Sequence, residues 1–482
     1  MLDLLPNEIW SDSSIRILDP ACKSWVFLRE AAKRLIKGLE DEIPDLQERI
    51  NHIMTNQLFW IWITNLTALL SRRSLYCSKN AKYNPDDDLW KYSICTEFLN
   101  SDWNIWFWKV EHERENWNCK HCWAIQREYE RDAELESHAY KFIHEWFEQI
   151  YNLFDSKNNM KFDVVIWNPP YQLADWGSWA SATAIYNKFV EQAKRLNPRY
   201  LTMIIPSRRM SWWKWLDKFR ENMMNDDSIS TLVDYPNSSE CFTWVDIAWG
   251  VCYFLRDSTY HGKCHVVTCM WGNKTVSDRK LNSYDVFVRW KEWEDILKKI
   301  LKEDTKTLDT VVSFSRPFWL RTFFSDYVDE PSDSTYKLYL SSQTWQRKIK
   351  YVDKKYITRW EQYINRWKVL MPKAYRLWSA TDGWYVHPII AEPWSVCTET
   401  FNVISHFDTK KEAENFVSYI KTRFFRFLVY LHKTTQDASS KVYRFVPVQD
   451  CNKERKDEEL YSMYNLNDEE INFIESMINP MD

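Results

Sequence analysis

The hydrophobic pattern of this chain centres on segment 162–171. Four apolar residues, Val164–Trp167, are followed by Asn168, Pro169, Pro170 and Tyr171. A short apolar run bounded by turn residues predicts a buried strand. Two consecutive prolines cannot continue a strand, so the strand ends in a stiff polar loop at Asn168. In open α/β sheets, loops at the carboxyl ends of strands bind ligands. The segment therefore predicts a binding loop for a flat, hydrogen-bonding molecule.

A second strand, loop and helix are predicted near the start of the chain. Ile15–Leu18 predicts a strand, and apolar residues at helical spacing predict a helix that ends near Leu39. This order forms half of a nucleotide-binding crossover. The candidate ligand-binding residues of the connecting loop are Asp19, Pro20, Ala21, Cys22, Ser24, Trp25 and Phe27.

Further apolar runs continue the alternation of strands and helices. They predict strands at Tyr200–Pro206, Ser228–Tyr235 and Val251–Leu255, a helix at Ala182–Leu196, and a strand with a helix at Leu58–Arg73. Such alternation indicates the α/β class. We predict a catalytic domain at 1–272, a connector at 273–304 and a region of mixed strands and helices at 305–482.

Two of these segments carry a family resemblance. Asn168–Tyr171 resembles the catalytic loop of gamma-class adenine-specific DNA methyltransferases of restriction-modification systems. Asp19–Phe27, which reads Asp-Pro-Ala-x-x-Ser-x-x-Phe, resembles their motif I. In the gamma class, as here, the cofactor motif precedes the catalytic motif. The plain alternatives are a strand-terminating turn and an ordinary strand-helix junction.

The resemblance implies a Rossmann-like fold, in which the loop Asp19–Phe27 holds S-adenosylmethionine. It implies that the Asn168 amide oxygen and the Pro169 carbonyl accept the two hydrogens of adenine's exocyclic amine. Tyr171 would stack on an adenine that has been rotated out of double-stranded DNA. The family also has a cofactor-contacting segment ahead of motif I. We expect that segment to be missing, because Asp19 lies close to Met1.

The resemblance also implies contacts with DNA. Arg208 and Lys214 lie in a loop that is near the DNA in this family, where they would contact phosphates; alternatively, both are solvated surface charges. Region 305–482 would carry target recognition. Two other functions stay open: a decayed, DNA-binding subunit without catalysis, and the methylase half of a combined restriction endonuclease. In the second, the nuclease is supplied upstream or by a partner chain.

Residues 74–150 form a predicted insertion that is rich in cysteine and polar residues. Thiolates with a Cys-x-x-Cys spacing favour zinc. The predicted ligands are Cys119 and Cys122, completed by Cys77 and by either Cys95 or His112. The alternative is a set of ordinary buried thiols. A structural zinc ion would hold together an insertion that is too small for a core of its own.

Charge and cysteine content limit the partners and the compartment. The chain has 64 basic and 68 acidic residues, so a nucleic-acid surface must be a local patch. Eleven cysteines without a charged, apolar leader favour thiols and metal ligands over disulfides. We expect a soluble, cytoplasmic protein without a membrane partner.

The ratio of tryptophan to glycine is abnormal, with 29 Trp and 6 Gly. Many tryptophans occupy positions where turns need glycine. We therefore predict that these are glycines in the biological protein, whose gene would be translated with UGA read as Gly instead of Trp. The positions are Trp25, Trp60, Trp123, Trp167, Trp176, Trp179, Trp212, Trp213, Trp215, Trp244, Trp249 and Trp394.

Overall fold

The computed structural model describes most of the chain. The described residues are 1–20, 26–62, 69, 71, 73, 94–96, 104–107, 110–126, 140–154, 160–173, 184–207, 216–243, 247, 250–270, 272–314, 316–341, 347–373, 388–432 and 438–481. The chain divides into two compact units. The first consists of Met1–Arg208 and Lys218–Ser283, and the second consists of Arg209–Asp217 and Tyr284–Asp482.

The first unit contains a nine-stranded sheet and a small two-stranded ribbon. The strands are β1 (Ile17–Asp19), β2 (Leu58–Trp62), β3 (Ile105–Phe107), β4 (Arg114–Glu115), β5 (Asn118–Cys119), β6 (Val164–Trp167), β7 (Tyr200–Pro206), β8 (Ile229–Tyr235), β9 (Val251–Asp257), β10 (Cys264–Met270) and β11 (Asn273–Arg279). In the described residues before Ser283, the helices are α1 (Val26–Gly38), α2 (Leu46–His52), α3 (Lys141–His144), α4 (Phe147–Phe154), α5 (Tyr186–Arg195) and α6 (Asp217–Met224).

The large sheet has the strand order β3-β2-β1-β6-β7-β9-β8-β10-β11. Strand β1 pairs in parallel with β2 on one side and with β6 on the other. Strand β9 lies antiparallel between β7 and β8. The chain thus places β2 and β3 on one side of β1 and the later strands on the other, so the strand order reverses between β1 and β6. The predicted α/β class is confirmed.

Burial explains why these segments form strands and helices. Every residue of β6 and β7 is buried, as expected for sheet strands that are covered on both faces. In α1, Leu28, Ala31, Ala32 and Leu35 are buried at the spacing of one helical face. Strand β7 has the predicted bounds. The sheet continues through β11, and the first unit ends at Ser283, beyond the predicted domain boundary at residue 272.

The second unit contains two small sheets and five helices in its described residues. The four-stranded sheet has the order β12-β14-β13-β17, and the three-stranded sheet has the order β16-β15-β18. These strands are β12 (Tyr327–Val328), β13 (Thr335–Ser341), β14 (Arg347–Asp353), β15 (Trp367–Pro372), β16 (Ile389–Ala391), β17 (Ser395–Cys397) and β18 (Phe401–Phe407). The helices are α7 (Lys291–Ile300), α8 (Lys410–Lys421), α9 (Arg423–His432), α10 (Asp457–Met463) and α11 (Asp468–Met477). Across the described part of the chain, no helix combines the length and apolar character needed to span a membrane.

An ion-pair cluster in the second unit leads to a pH-dependent prediction. Asp285 Oδ2 lies 2.6 Å from Arg444 Nη1 and 3.4 Å from His432 Nε2. Burial raises the pKa of Asp285, but the hydrogen bond with His432 and the charges of His432 and Arg444 outweigh it and lower the pKa to about 2. Because the folded-state pKa lies below the unfolded value, the stabilisation is present above about pH 4 and is lost as the pH falls towards about 2.

We expect Asp285→Asn to lower the free energy of unfolding by roughly 2 kcal/mol at neutral pH. The difference from wild type should shrink as the pH falls from about 4 to about 2. Urea unfolding across this pH range measures it. Asp295→Asn is the control, because Asp295 forms an exposed pair with Lys298 and should change stability little. A pH-independent effect of Asp285→Asn would contradict the assignment.

Candidate active site at the carboxyl edge of the large sheet

Two of the sequence motifs meet where the strand order of the large sheet reverses. Strand β1 ends at Asp19, and Asn168 immediately follows β6. Leu18 pairs with Val165, so Asp19 is level with Ile166, and Asn168 lies two residues further along. Standard strand spacing and rise put the Cα atoms of Asp19 and Asn168 about 8 Å apart. This is the crevice in which open α/β sheets bind their ligands.

The two motifs present different polar groups at this edge. Asp19 is only 2% exposed. Asn168 is exposed, whereas Pro169 is buried. An ionised carboxylate carries negative charge and accepts hydrogen bonds. An exposed amide can accept and donate hydrogen bonds. The edge therefore combines a site for positive charge with a site for a hydrogen-bonding ligand.

Aromatic packing supports the loop from its β6 side. Trp167, the last residue of β6, is 1% exposed. Its ring lies 4.5 Å from that of Phe189 in α5 and 5.4 Å from that of Phe142 in α3, both nearly perpendicular to it. These contacts fix the position from which Asn168 leaves the sheet.

The other end of the loop is attached to the start of α5. The Ile185 backbone N–H donates to the Tyr171 carbonyl at 3.2 Å. The Tyr171 ring lies edge-on to that of Tyr186, with centroids 6.5 Å apart. Gln172 and Ala184 form an isolated antiparallel bridge. The prolines are therefore held between β6 and α5, and the loop is preorganised.

The base of the two central strands is tied by a carboxylate. The Arg16 backbone N–H donates to Asp163 Oδ2 at 2.9 Å, which links the start of β1 to the start of β6. Burial raises the pKa of Asp163, and this hydrogen bond opposes the rise. The contact helps to fix the register that brings Asp19 and Asn168 to the same edge.

A buried polar pair at this edge was not predicted from the sequence. Ser207 follows β7, and its Oγ donates to Oδ1 of Asp234 in β8 at 2.5 Å. Asp234 is 0% exposed and Ser207 is 2% exposed. The sequence feature that could have indicated this pair is an acidic residue, Asp234, directly after the apolar residues Leu232 and Val233. Because β9 lies between β7 and β8, the pairing could be recognised only from the fold.

A separate cluster of four metal-ligating side chains lies in the predicted insertion. The ligand atoms of His112, Cys119, Cys122 and His144 all lie within 4.8 Å of one another. This grouping differs from the predicted set. Cys95 is buried in the apolar core beside β1 and α1 and is not in the cluster. Cys77 lies outside the described residues. His144 was missed because it is distant in sequence from the Cys-x-x-Cys pair.

Comparisons with known proteins show the family of the chain. The family model for the Eco57I restriction-modification methylase matches residues 56–242, which include the whole 168–171 loop. An uncharacterized adenine-specific methylase of Mycoplasma pneumoniae (strain ATCC 29342 / M129 / Subtype 1) is 36% identical over 326 residues, covering 62% of this chain and 77% of the relative. The chain belongs to the family of adenine-specific restriction-modification methylases. The predicted family is thus confirmed for this methylase.

Solved structures of restriction-modification enzymes also resemble this methylase. The type IIL enzyme MmeI in complex with DNA matches at 9% identity and a TM-score of 0.45, covering 90% of this chain and 61% of that chain. A nuclease-deletion mutant of the type ISP enzyme LlaGI, in complex with a DNA substrate mimic, also matches at 9% identity and a TM-score of 0.45. This match covers 88% of this chain and 42% of that chain. The methylase spans about half the length of these two chains.

Several predicted site residues of the methylase lie outside the described part of the chain. They are Ala21, Cys22, Ser24 and Trp25 of the first motif, and Arg208 and Lys214 of the loop assigned to DNA. Phe27 is half-buried and packs against the core that contains β1 and α1. The structure therefore brings together Asp19 with Asn168, Pro169, Pro170 and Tyr171.

Proposed function

We propose that this methylase transfers a methyl group from S-adenosylmethionine to the exocyclic amine of adenine in double-stranded DNA. The main support is the position of Asn168–Tyr171 beside Asp19, at the point where the strand order of the large sheet reverses. Within a restriction-modification system, such methylation protects DNA from the endonuclease that shares the recognition sequence. A restriction endonuclease, as a domain or as a subunit, is therefore the proposed functional partner.

The residues at the end of β1 fit the proposed cofactor. S-adenosylmethionine carries an ammonium group and a sulfonium group, so its methionine end is cationic. The buried carboxylate of Asp19 offers the negative charge that such a ligand favours. We assign Asp19, Pro20 and Phe27, together with the loop residues between them, to cofactor binding. When bound, S-adenosylmethionine supplies an electrophilic methyl group.

The loop after β6 would hold and orient the adenine. The Asn168 side-chain oxygen and the Pro169 carbonyl accept the two hydrogens of the amine, which directs the nitrogen lone pair away from both acceptors. Tyr171 supplies an aromatic face for the extruded base. The amine is its own nucleophile once its lone pair is aligned, so the residues act mainly through positioning. The rigid Pro169 and Pro170 reduce the entropy lost when the base is held.

The second unit is proposed to carry target recognition. Strand β14 reads Arg-Lys-Ile-Lys-Tyr-Val-Asp, and its Lys348 is exposed. Basic side chains contact phosphates and position a protein on DNA, whereas polar side chains at base edges determine sequence preference. We also assign Arg208 and Lys214 to phosphate contacts.

A labelled-methyl assay tests the proposed function. The full chain is incubated with S-adenosylmethionine labelled in the methyl group and with unmethylated plasmid DNA, and the digested nucleosides are separated. We expect the label in N6-methyladenine. Label in a cytosine product would overturn the proposed substrate.

Calorimetric titration of S-adenosylmethionine into the protein separates a decayed protein from an active one. The proposal predicts heat of binding in the absence of DNA. If the titration gives no heat of binding and the assay gives no methyl transfer, the result would favour a DNA-binding subunit without catalysis.

A further inference from the structure

We propose that His112, Cys119, Cys122 and His144 bind a structural zinc ion. Two thiols and two imidazoles form a closed ligand set, the type found in structural zinc sites. Cys119 is 2% exposed, Cys122 is 0% exposed and His144 is 6% exposed. A site this deeply buried, with all four positions filled by protein ligands, leaves no position for a substrate, which favours a structural role.

The distances between the ligand atoms suit tetrahedral zinc. Cys119 Sγ lies 3.5 Å from His144 Nε2, and Cys122 Sγ lies 3.4 Å from His112 Nδ1. Zinc-sulfur and zinc-nitrogen bonds of about 2.3 and 2.1 Å at the tetrahedral angle place such atoms roughly 3.6 Å apart. Each of these two pairs is thus already spaced like two ligands of one zinc ion, and all four ligand atoms lie within 4.8 Å of one another.

The hydrogen bonding of His144 orients its ring for ligation. His144 Nδ1 lies 2.7 Å from the Tyr140 carbonyl oxygen, to which it can only donate. With the proton on Nδ1, the neutral ring carries its lone pair on Nε2, which faces Cys119. Metal-ligating histidines usually have such a partner on the second ring nitrogen, because it fixes the tautomer and the ring orientation.

The backbone around the two cysteines forms a turn with a left-handed residue. The Trp123 N–H donates to the Cys119 carbonyl at 3.0 Å, and Trp123 itself has φ +66°. The Cys119 N–H donates to the Ala124 carbonyl at 2.9 Å. These bonds close the chain around the Cys-x-x-Cys pair and direct both thiols towards the same point.

The ion would connect the β4–β5 ribbon to the helix that supports the catalytic loop. Cys119 ends β5, and His144 ends α3. In α3, Phe142 contacts Trp167, the residue directly before Asn168. Gln192 Nε2 of α5 donates to the carbonyl of Glu145, just after α3, at 2.8 Å. Zinc at this site would thus stabilise the surroundings of the loop without contacting substrate.

Metal content and cobalt spectroscopy test the site without DNA or methyl transfer, so the result does not depend on the proposed function. We expect the full chain, purified from zinc-supplemented medium, to contain one zinc ion. After replacement by Co²⁺, it should show thiolate-to-metal charge-transfer absorption and the visible bands of a tetrahedral site. Wild-type protein without zinc and without charge-transfer absorption would overturn the proposal, as would a Cys119–Cys122 disulfide found by mass spectrometry.

Matched variants identify the ligands. Cys122→Ser and His144→Asn should lose zinc. His121→Ala and Cys95→Ser should retain it, because neither residue is one of the four ligands. The His121 ring lies 5.2 Å from that of His144, and Cys95 is a buried cysteine of the predicted set. If the ligand variants fail to fold, removing zinc from the wild type with a chelator should lower its Tm, and added zinc should restore it. Zinc retained by Cys122→Ser but lost by Cys95→Ser would contradict the ligand set.

Discussion

Asn168→Ala is expected to reduce methyl transfer to adenine by at least about 10²-fold, a loss comparable to that of one preorganised polar group in an active site. Without the side-chain oxygen, the Pro169 carbonyl remains to accept from the amine, so the nitrogen lone pair is no longer aligned. Single-turnover measurement with labelled S-adenosylmethionine and a DNA substrate gives the rate of the chemical step directly.

Gln172→Ala is the matched control for Asn168→Ala. Gln172 is an exposed amide in the same loop, and its removal should leave the rate near that of wild type. Affinity for S-adenosylmethionine should be retained in both variants, because the proposed cofactor residues lie after β1. Near-normal methylation by Asn168→Ala would remove the proposed role of the amide.

Replacing exposed left-handed tryptophans with glycine is expected to stabilise the protein. Among the described residues, five tryptophans have positive φ: Trp117 (+71°), Trp123 (+66°), Trp319 (+64°), Trp360 (+58°) and Trp394 (+64°). A side chain in this backbone region costs roughly 1–2 kcal/mol, which glycine avoids. Four of these side chains are 49–75% exposed, so their removal gives up only part of the burial that a core tryptophan would lose. After allowing for the greater entropy of unfolded glycine and for the contacts that the rings lose, the four exposed changes together should raise the free energy of unfolding by roughly 1–3 kcal/mol.

A buried tryptophan provides the opposite control. Trp293 is 4% exposed in α7, and its ring contacts those of Trp290 and Phe427. Trp293→Gly should destabilise by about 4 kcal/mol or more, through the cavity and the helix penalty. Urea unfolding measures both sets of variants. Destabilisation by the four exposed changes would show that these tryptophans are suited to their backbone.

The backbone angles bear on the predicted glycine positions. Trp123 and Trp394 were among the twelve predicted positions, and both are left-handed. Trp117, Trp319 and Trp360 were not, because glycine-like sequence context does not reveal φ. Trp60 and Trp167 are buried in extended strands, where the backbone gives no reason for glycine. The other eight lie outside the described residues. UGA codons at the left-handed positions would show that glycine is the biological residue, and UGG codons would end the hypothesis.

Elements with strong local signals were predicted closely. Strand β7 has the predicted bounds, because continuous burial defines it. The turn at Asn168 follows from the prolines alone. Strand β11 lies in the predicted connector. Its first six residues are exposed or half-exposed, and its pairing with β10 is not visible in the sequence.

The sequence by itself determined the α/β class, the family and the loop in which Asn168 leaves the sheet, since each depends on residues adjacent in the chain. The tertiary structure decided which loops share an edge. Asp19 and Asn168 come together because β6 pairs with β1, and His144 joins Cys119 because α3 returns to the β4–β5 ribbon. Such contacts depend on how segments that are distant in sequence pack together, so they cannot be predicted from the pattern of neighbouring residues.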